Sequence, residues 1–279
     1  MIKQNKESVK ISPFCPNLGA VVQGIDLSKS LDEDQLITIK RAFLKYQVLF
    51  FQNQIEISPE MHTAFGKMFG ALHRHPAAPT MKGFPEIFEI HAHKDSKVAN
   101  GEFWHSDVSC DREPPLGTML QMHILPQSGG DTMFSNMYLA YERLSDQFKQ
   151  FLNGLTAVHE SKHIYQGRYN DRGVDDKEIF FPSAIHPVVR IHPETRKKCL
   201  FVNRTFTTRI NGLTDKESNS ILTFLFDHCE SLEFQIRYKW NLYDLVFWDN
   251  RCSMHRAIWD YWPMERKGRR VTIKGDKPF

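Results

Sequence analysis

His105-Ser106-Asp107, answered far downstream by the histidine that closes Trp248-Asp249-Asn250-Arg251-Cys252-Ser253-Met254-His255, decides how this chain is read. Two imidazoles and one carboxylate on one side of an ion, with the remaining positions open, form the facial triad of non-haem Fe(II) oxygenases, which activate dioxygen. Side chains two apart on a β-strand share a face, so His105 and Asp107 are expected to converge from one strand. Thirteen histidines among 279 residues also produce such pairs by chance, and read alone the tripeptide is more simply a surface histidine beside a solvated aspartate.

The segment after His255 changes that balance. In Glu265-Arg266-Lys267-Gly268-Arg269-Arg270-Val271-Thr272-Ile273, alternation places Arg266, Gly268, Arg270 and Thr272 on one face of a strand. A planar guanidinium forks onto carboxylates and other oxyanions, so inward arginines beside an iron triad call for an anionic cosubstrate. Lys267 and Arg269 fall on the opposite face and read as solvated charge.

Strand signals recur at Gln47 to Phe51, Glu86 to Ile90, Gly117 to Ile124, Val188 to His192, Lys198 to Asn203, Phe234 to Trp240, Asp244 to Trp248 and Arg270 to Lys274. Helix signals are fewer. Ser30 caps a segment carrying Leu36, Ile39, Phe43 and Leu44 at helical spacing, and Ser58-Pro59 opens a second helix that closes at Gly70. Ser135 to Leu152 reads as helix with an interruption near Ser145, and Thr214-Asp215-Lys216-Glu217 is a capping box. Many short strands with flanking helices point to a mainly β fold, an antiparallel double-sheet jelly roll. The stretch from His163 to Ser183 has neither period and is expected to be a mobile loop over the site.

Composition agrees with a soluble enzyme. With 279 residues, 41% of them hydrophobic, the chain is read as one domain over 1–279. A net charge of +3 with scattered Lys and Arg excludes the basic stripe of a nucleic-acid binder. Five cysteines (Cys15, Cys110, Cys199, Cys229, Cys252) without CxxC pairing argue for reduced thiols in the cytoplasm. Cys110 and Cys252, close in sequence to the proposed ligands, read as packing residues. The opening residues are polar and no apolar run is long enough to span a bilayer, so no membrane association is expected. His91 and His93 share the spacing of a ligand pair, but so many other histidines are present that a structural role is the simpler reading.

Ordered motifs run along nearly the whole chain: Gly19-Ala20-Val21-Val22-Gln23-Gly24-Ile25-Asp26-Leu27, Trp104-His105-Ser106-Asp107-Val108, Gly129-Gly130-Asp131-Thr132, Phe206-Thr207-Thr208-Arg209-Ile210, Trp248-Asp249-Asn250-Arg251 and Gly275-Asp276-Lys277-Pro278-Phe279. On these the chain resembles the taurine dioxygenase family of Fe(II)/2-oxoglutarate-dependent dioxygenases. The resemblance implies a double-stranded β-helix with Fe(II) held by His105, Asp107 and His255, and 2-oxoglutarate whose distal carboxylate meets Thr132 and Arg266. It implies hydroxylation of a small organic anion by dioxygen, with release of succinate and CO2. When the hydroxylated carbon carries a sulfonate or sulfate ester, C–S or C–O cleavage follows. Asp107 fills a position where halogenating relatives carry a small residue, which favours hydroxylation.

For the substrate, the resemblance implies an anionic head group, a sulfonate or sulfate, held by His75, the backbone amide of Val108 and Arg270, with Phe206 in the pocket wall. The family's tyrosine three positions after that histidine is Ala78 here, a second pocket phenylalanine is Ser161, and an asparagine before the triad falls on Asn100 or Gly101. Losing two rings implies a larger or wetter cavity and a substrate larger than taurine. Two alternatives remain: the same chemistry on an aryloxyalkanoate-like or isonitrile-forming carboxylate substrate, and a metal-free jelly-roll binding module. Exposed aromatics and family habit make a homo-oligomer an expectation.

Overall fold

The computed structural model describes residues 9–170, 173–178 and 180–279, and two facing β-sheets form the jelly roll that the strand pattern anticipates. Among the described residues the larger sheet runs Lys10–Pro13, Ala20–Gln23, Val48–Phe51, Leu245–Asp249, Gly117–Ile124, Arg266–Ile273, Phe84–Ala92 and Thr80–Met81, with Leu72–His73 also paired to Arg266–Ile273. The smaller sheet runs Gln235–Tyr238, Thr132–Asn136 and Ser253–Ala257. Ala20–Gln23 and Val48–Phe51 pair parallel; the other pairs around the site are antiparallel.

The larger sheet is buried on both faces, and the two-residue period divides its side chains between two cores. Val48, Phe50, Leu120, Met122, Val246 and Trp248 meet Phe134, Ile236, Tyr238 and Trp240 of the smaller-sheet side. Leu49, Phe51, Leu245, Phe247 and Ile273 turn the other way onto Ile39, Ala42, Phe43 and Phe65 of the helices Glu33–Tyr46 and Pro59–Lys67. Phe43 stacks on Phe247 with ring centroids 3.9 Å apart. The same parity in Arg266–Ile273 buries Arg266, Gly268, Arg270 and Thr272 between the sheets. Gly268 is required there: a Cβ would approach Gln121 O and Met122 Sδ to 2.8 Å.

Several boundaries differ from the sequence reading. The first helix is capped by Asp32 rather than Ser30, through a reciprocal box in which Asp32 Oδ1 accepts from Gln35 N at 2.9 Å. Ser135 and Asn136 pair with Gln235 and Ser253 and therefore remain strand. The helix starts at Met137, ends at Glu142 and restarts as Asp146–Leu152 under a Ser145 cap, so the anticipated interruption is present. The final long strand starts at Arg266, not Arg270, and a 3-10 turn at Leu232–Phe234 shortens the strand expected from Phe234 to Gln235–Tyr238. Of the 163–183 segment, residues 171, 172 and 179 lie outside the described residues; the described part begins with a helix, Lys162–Tyr165. Among the described residues no helix is long and apolar enough to cross a membrane.

Burial of neutral histidines gives the fold a pH dependence. Desolvation, followed by the neighbouring imidazoles His123 and His186 respectively, lowers His62 and His159 from 6.5 to about 3. Between these values the unfolded chain takes up protons that the folded chain refuses, so stability falls as pH drops below 6.5. Each of the two sites is expected to cost about 2 kcal/mol at pH 5 relative to neutrality. Urea denaturation at pH 7 and pH 5 measures the difference; equal midpoints would contradict it.

Candidate active site

His105 and His255 reach each other through the backbone. His105 N–H donates to His255 O at 3.0 Å and His255 N–H to His105 O at 2.8 Å, stitching the 105 segment to strand Ser253–Ala257. The expectation that His105 and Asp107 share a regular strand is not met. After this single bridge the chain turns through Val108, at φ 44°, and Asp107 enters the site from the turn. His105 Nε2 and His255 Nε2 lie 3.7 and 3.9 Å from Asp107 Oδ1. One ligand atom from each of the three residues falls within 4.8 Å of the others, all buried.

The donor set suits a divalent first-row ion. Burial lowers the pKa of both imidazoles, which keeps them neutral, the form that offers a lone pair. His105 Nδ1–H donates to Phe103 O at 2.8 Å, leaving Nε2 as its lone-pair atom. Burial alone would raise the Asp107 pKa, but the Arg270 guanidinium, helped by the Thr118 hydroxyl, overcomes it and holds the carboxylate ionised. Thr118 Oγ1 donates to Asp107 Oδ2 at 2.7 Å, and Asn250 Nδ2 donates to Thr118 Oγ1 at 2.9 Å. Asn250 Oδ1 also accepts from Trp248 Nε1 at 3.0 Å and from Asp107 N–H at 3.3 Å. The quoted Trp248 to Arg251 motif thus supports the ligand carboxylate, a role invisible without the fold.

On one side of the triad lies a small cavity of about 40 Å³ lined by Leu120, Thr132, Trp248, His255, Arg266 and Arg270, among others. Arg266 Nε donates to Gly130 O at 2.9 Å and its Nη2 to Thr132 Oγ1 at 3.4 Å. This buried guanidinium bonds to a carbonyl and a hydroxyl and forms no ion pair with a carboxylate among the described residues, which is costly unless an anion joins it. Trp240 Nε1 donates to the same Thr132 Oγ1 at 2.9 Å, so the hydroxyl accepts from the protein and its proton is left to donate onward. Glycine is needed at 129, where φ is 79° and a Cβ would meet Asp260 Oδ1; Asp260 accepts from Gly130 N–H at 2.8 Å.

On the other side opens a cavity of about 230 Å³ that brings together His75, Val108, Phe206 and Arg270, the four expected substrate residues, with His105 and Asp107. His75 Nδ1 accepts from the amides of Ala77 and Ala78 at 3.2 and 2.9 Å, and burial keeps the ring neutral, so its proton sits on Nε2. Arg270 Nη1 donates to Asp107 Oδ1 at 2.6 Å, its guanidinium lies 5.0 Å over the Phe88 ring, and its buried Nε has no partner. The sequence reading missed Tyr165, Tyr169 and Phe88, which line the same space. Ala78 and Ser161 lead to an expectation of a larger or wetter pocket; rings of Tyr165 and Tyr169 stand in the same wall. Ser161 is fully buried with its hydroxyl donated to Pro182 O at 2.8 Å. Asn100, not Gly101 alone, borders both cavities; its Oδ1 accepts from Tyr169 OH at 3.4 Å.

A second buried group, His192, Asp249 and Cys252, has ligand-like spacing, but its imidazole and carboxylate are already engaged by the protein. His192 Nδ1 accepts from Glu194 and Thr195 N–H, its Nε2 meets Asp249 Oδ2 at 3.1 Å, and Arg251 forks both Asp249 oxygens. Burial pushes the Cys252 and Cys110 thiols up, in keeping with packing roles. His91 and His93 join no three-residue cluster of this kind among the described residues; His91 Nε2 instead meets Glu265 at 2.7 Å.

The chain is similar to known proteins in sequence and in fold. The profile of the family described as "Taurine catabolism dioxygenase TauD, TfdA family" matches residues 10–272. An alkylsulfatase of Acinetobacter baylyi is 33% identical over 99% of this chain and 88% of its own. An alpha-ketoglutarate-dependent sulfonate dioxygenase of Saccharomyces cerevisiae is 33% identical over 99% of this chain and 69% of its own. A crystal structure of AAD-2 in complex with Mn(II) and N-oxalylglycine superposes with a TM-score of 0.79 at 28% identity, covering 97% of this chain and 99% of that one.

Proposed function

This chain belongs to the TauD, TfdA family and is a 2-oxoglutarate-dependent dioxygenase, and from that premise we propose that it hydroxylates a small organic sulfonate or alkyl sulfate at Fe(II) held by His105, Asp107 and His255. One observation carries the reading. A single strand face offers two buried guanidiniums beside the three ligand atoms: Arg270 lines both cavities, Arg266 only the smaller one, and among the described residues Arg266 pairs with no carboxylate. Four residues along a strand separate them by about 13 Å. Two anions are thereby accommodated, a dicarboxylate cosubstrate at Arg266 and an anionic substrate at Arg270.

Ferrous iron, with 2-oxoglutarate and dioxygen, supplies the oxidising power. The chain supplies position. Arg266 and the Thr132 hydroxyl clamp the distal carboxylate through charge-assisted bonds, and Trp240 sets which way that hydroxyl donates. N-oxalylglycine, 2-oxoglutarate with an NH in place of one CH2, occupies the related AAD-2 structure together with Mn(II), which supports a metal and this cosubstrate class here. His75 Nε2–H and Arg270 fix the substrate anion, so that the adjacent carbon faces the triad. Once that carbon is hydroxylated, loss of the hydroxyl proton forms a carbonyl as the C–S bond of a sulfonate, or the C–O bond of a sulfate ester, breaks.

Oxygen-dependent succinate release measured across sulfonates, alkyl sulfates and carboxylates tests the proposal. Stimulation by sulfonates or sulfates above all carboxylates is expected. A carboxylate turned over with the highest kcat/KM would replace it with the aryloxyalkanoate-like alternative.

A further inference from the structure

Tyr165 is held in the substrate cavity by contacts that leave only its hydroxyl unused. Its helix, Lys162–Tyr165, is anchored by the Tyr165 N–H bond to Ser161 O at 2.9 Å, and Arg168 Nη2 donates to Ala99 O at 2.7 Å, tying the following turn to the segment that leads into the triad. The ring sits edge-on to His75 at 5.0 Å and to Phe206 at 5.8 Å between centroids. Tyr165 is 6% exposed, lines the cavity with Arg270 and Asp107, and makes no hydrogen bond through its hydroxyl among the described residues. An unbonded hydroxyl on a cavity wall is free to bond whatever fills the cavity.

Resting on the function proposed above, we infer that Tyr165 is a specificity-determining residue whose hydroxyl donates a further hydrogen bond to the substrate's head group, beside those of His75, the Val108 amide and Arg270, selecting a tetrahedral sulfonate or sulfate over a planar carboxylate. His75 Nε2–H, the Val108 amide, an Arg270 N–H and the Tyr165 O–H all border this cavity, and three terminal oxygens offer acceptors enough for every one of them. Burial drives the phenol's pKa well above 10, so it stays protonated and can only donate to an anion. A carboxylate presents two oxygens in one plane to the same donors and gains less from a donor that arrives from a further direction. The ring also limits the depth of the pocket beside His75.

The experiment compares Tyr165→Phe with wild type, using a short alkyl sulfonate and the carboxylate of the same chain length. Removing one hydrogen bond to a charged group is expected to lower kcat/KM for the sulfonate by roughly tenfold or more, and the sulfonate-to-carboxylate ratio by a similar factor. A structural role for the hydroxyl would lower both substrates alike and leave the ratio unchanged, which overturns the inference. If Tyr165→Ala folds, it is expected to shift preference toward bulkier anions, and an unchanged ranking by size would contradict the depth-limiting role. Should wild type respond to no anion, the proposed function and this inference fall together. Should wild type respond and Tyr165→Phe match it, the Tyr165 assignment alone falls.

Discussion

Asp107→Ala is expected to abolish coupled turnover and metal retention while leaving the fold standing. Asp107 contributes the only carboxylate of the buried three-residue cluster at this site, and its Oδ1 faces both imidazoles at 3.7 and 3.9 Å. Changes to residues that merely orient a ligand cost metal affinity by about 10- to 100-fold, so deleting a ligand should lower activity by at least roughly a thousandfold. The same substitution leaves the buried Arg270 guanidinium without its 2.6 Å partner, so thermal unfolding should be measured alongside. Succinate formation at the wild-type rate without an added ligand would exclude Asp107 from the metal site.

Arg266→Ala is expected to act on one kinetic constant. Its guanidinium bonds to Gly130 O and Thr132 Oγ1 but to no carboxylate among the described residues, so little of the fold depends on its charge. Truncating one partner of a buried charged pair costs about 2–5 kcal/mol, which raises the KM for 2-oxoglutarate by at least roughly thirtyfold. The KM for the organic anion, read at saturating cosubstrate, should move far less. Added guanidinium ion should restore part of the loss. A 2-oxoglutarate KM within about twofold of wild type, on the scale where tenfold equals about 1.4 kcal/mol, would remove Arg266 from the cosubstrate site.

The parts of this site that were legible in sequence are those encoded by residue type or by a two-residue period. The triad could be read because two histidines and an aspartate are a chemical signature wherever they meet. The inward face of Arg266, Gly268, Arg270 and Thr272 could be read because strand parity is local. What was not legible depends on contacts between distant segments. His105 and Asp107 were expected on a strand, but a bridge to His255 and a turn at Val108 replace it, and neither follows from local pattern. The rings of Tyr165 and Tyr169 were not expected in the pocket wall because they come from a segment with no period, brought in by packing against His75, Phe88 and Phe206. The supports Thr118, Asn250 and Trp240 were equally hidden, since each acts only through a side chain it meets across the sheets.

His105, Asp107 and His255 are expected to share one ferrous ion, with 2-oxoglutarate anchored beyond it by Arg266. Anaerobic titration of the protein with Fe(II) and 2-oxoglutarate, followed by visible absorption and equilibrium dialysis, tests it most directly. A weak visible band that saturates at one iron per chain and requires both components is expected. Iron that remains freely dialysable, or a band that persists undiminished in Asp107→Ala, would contradict it.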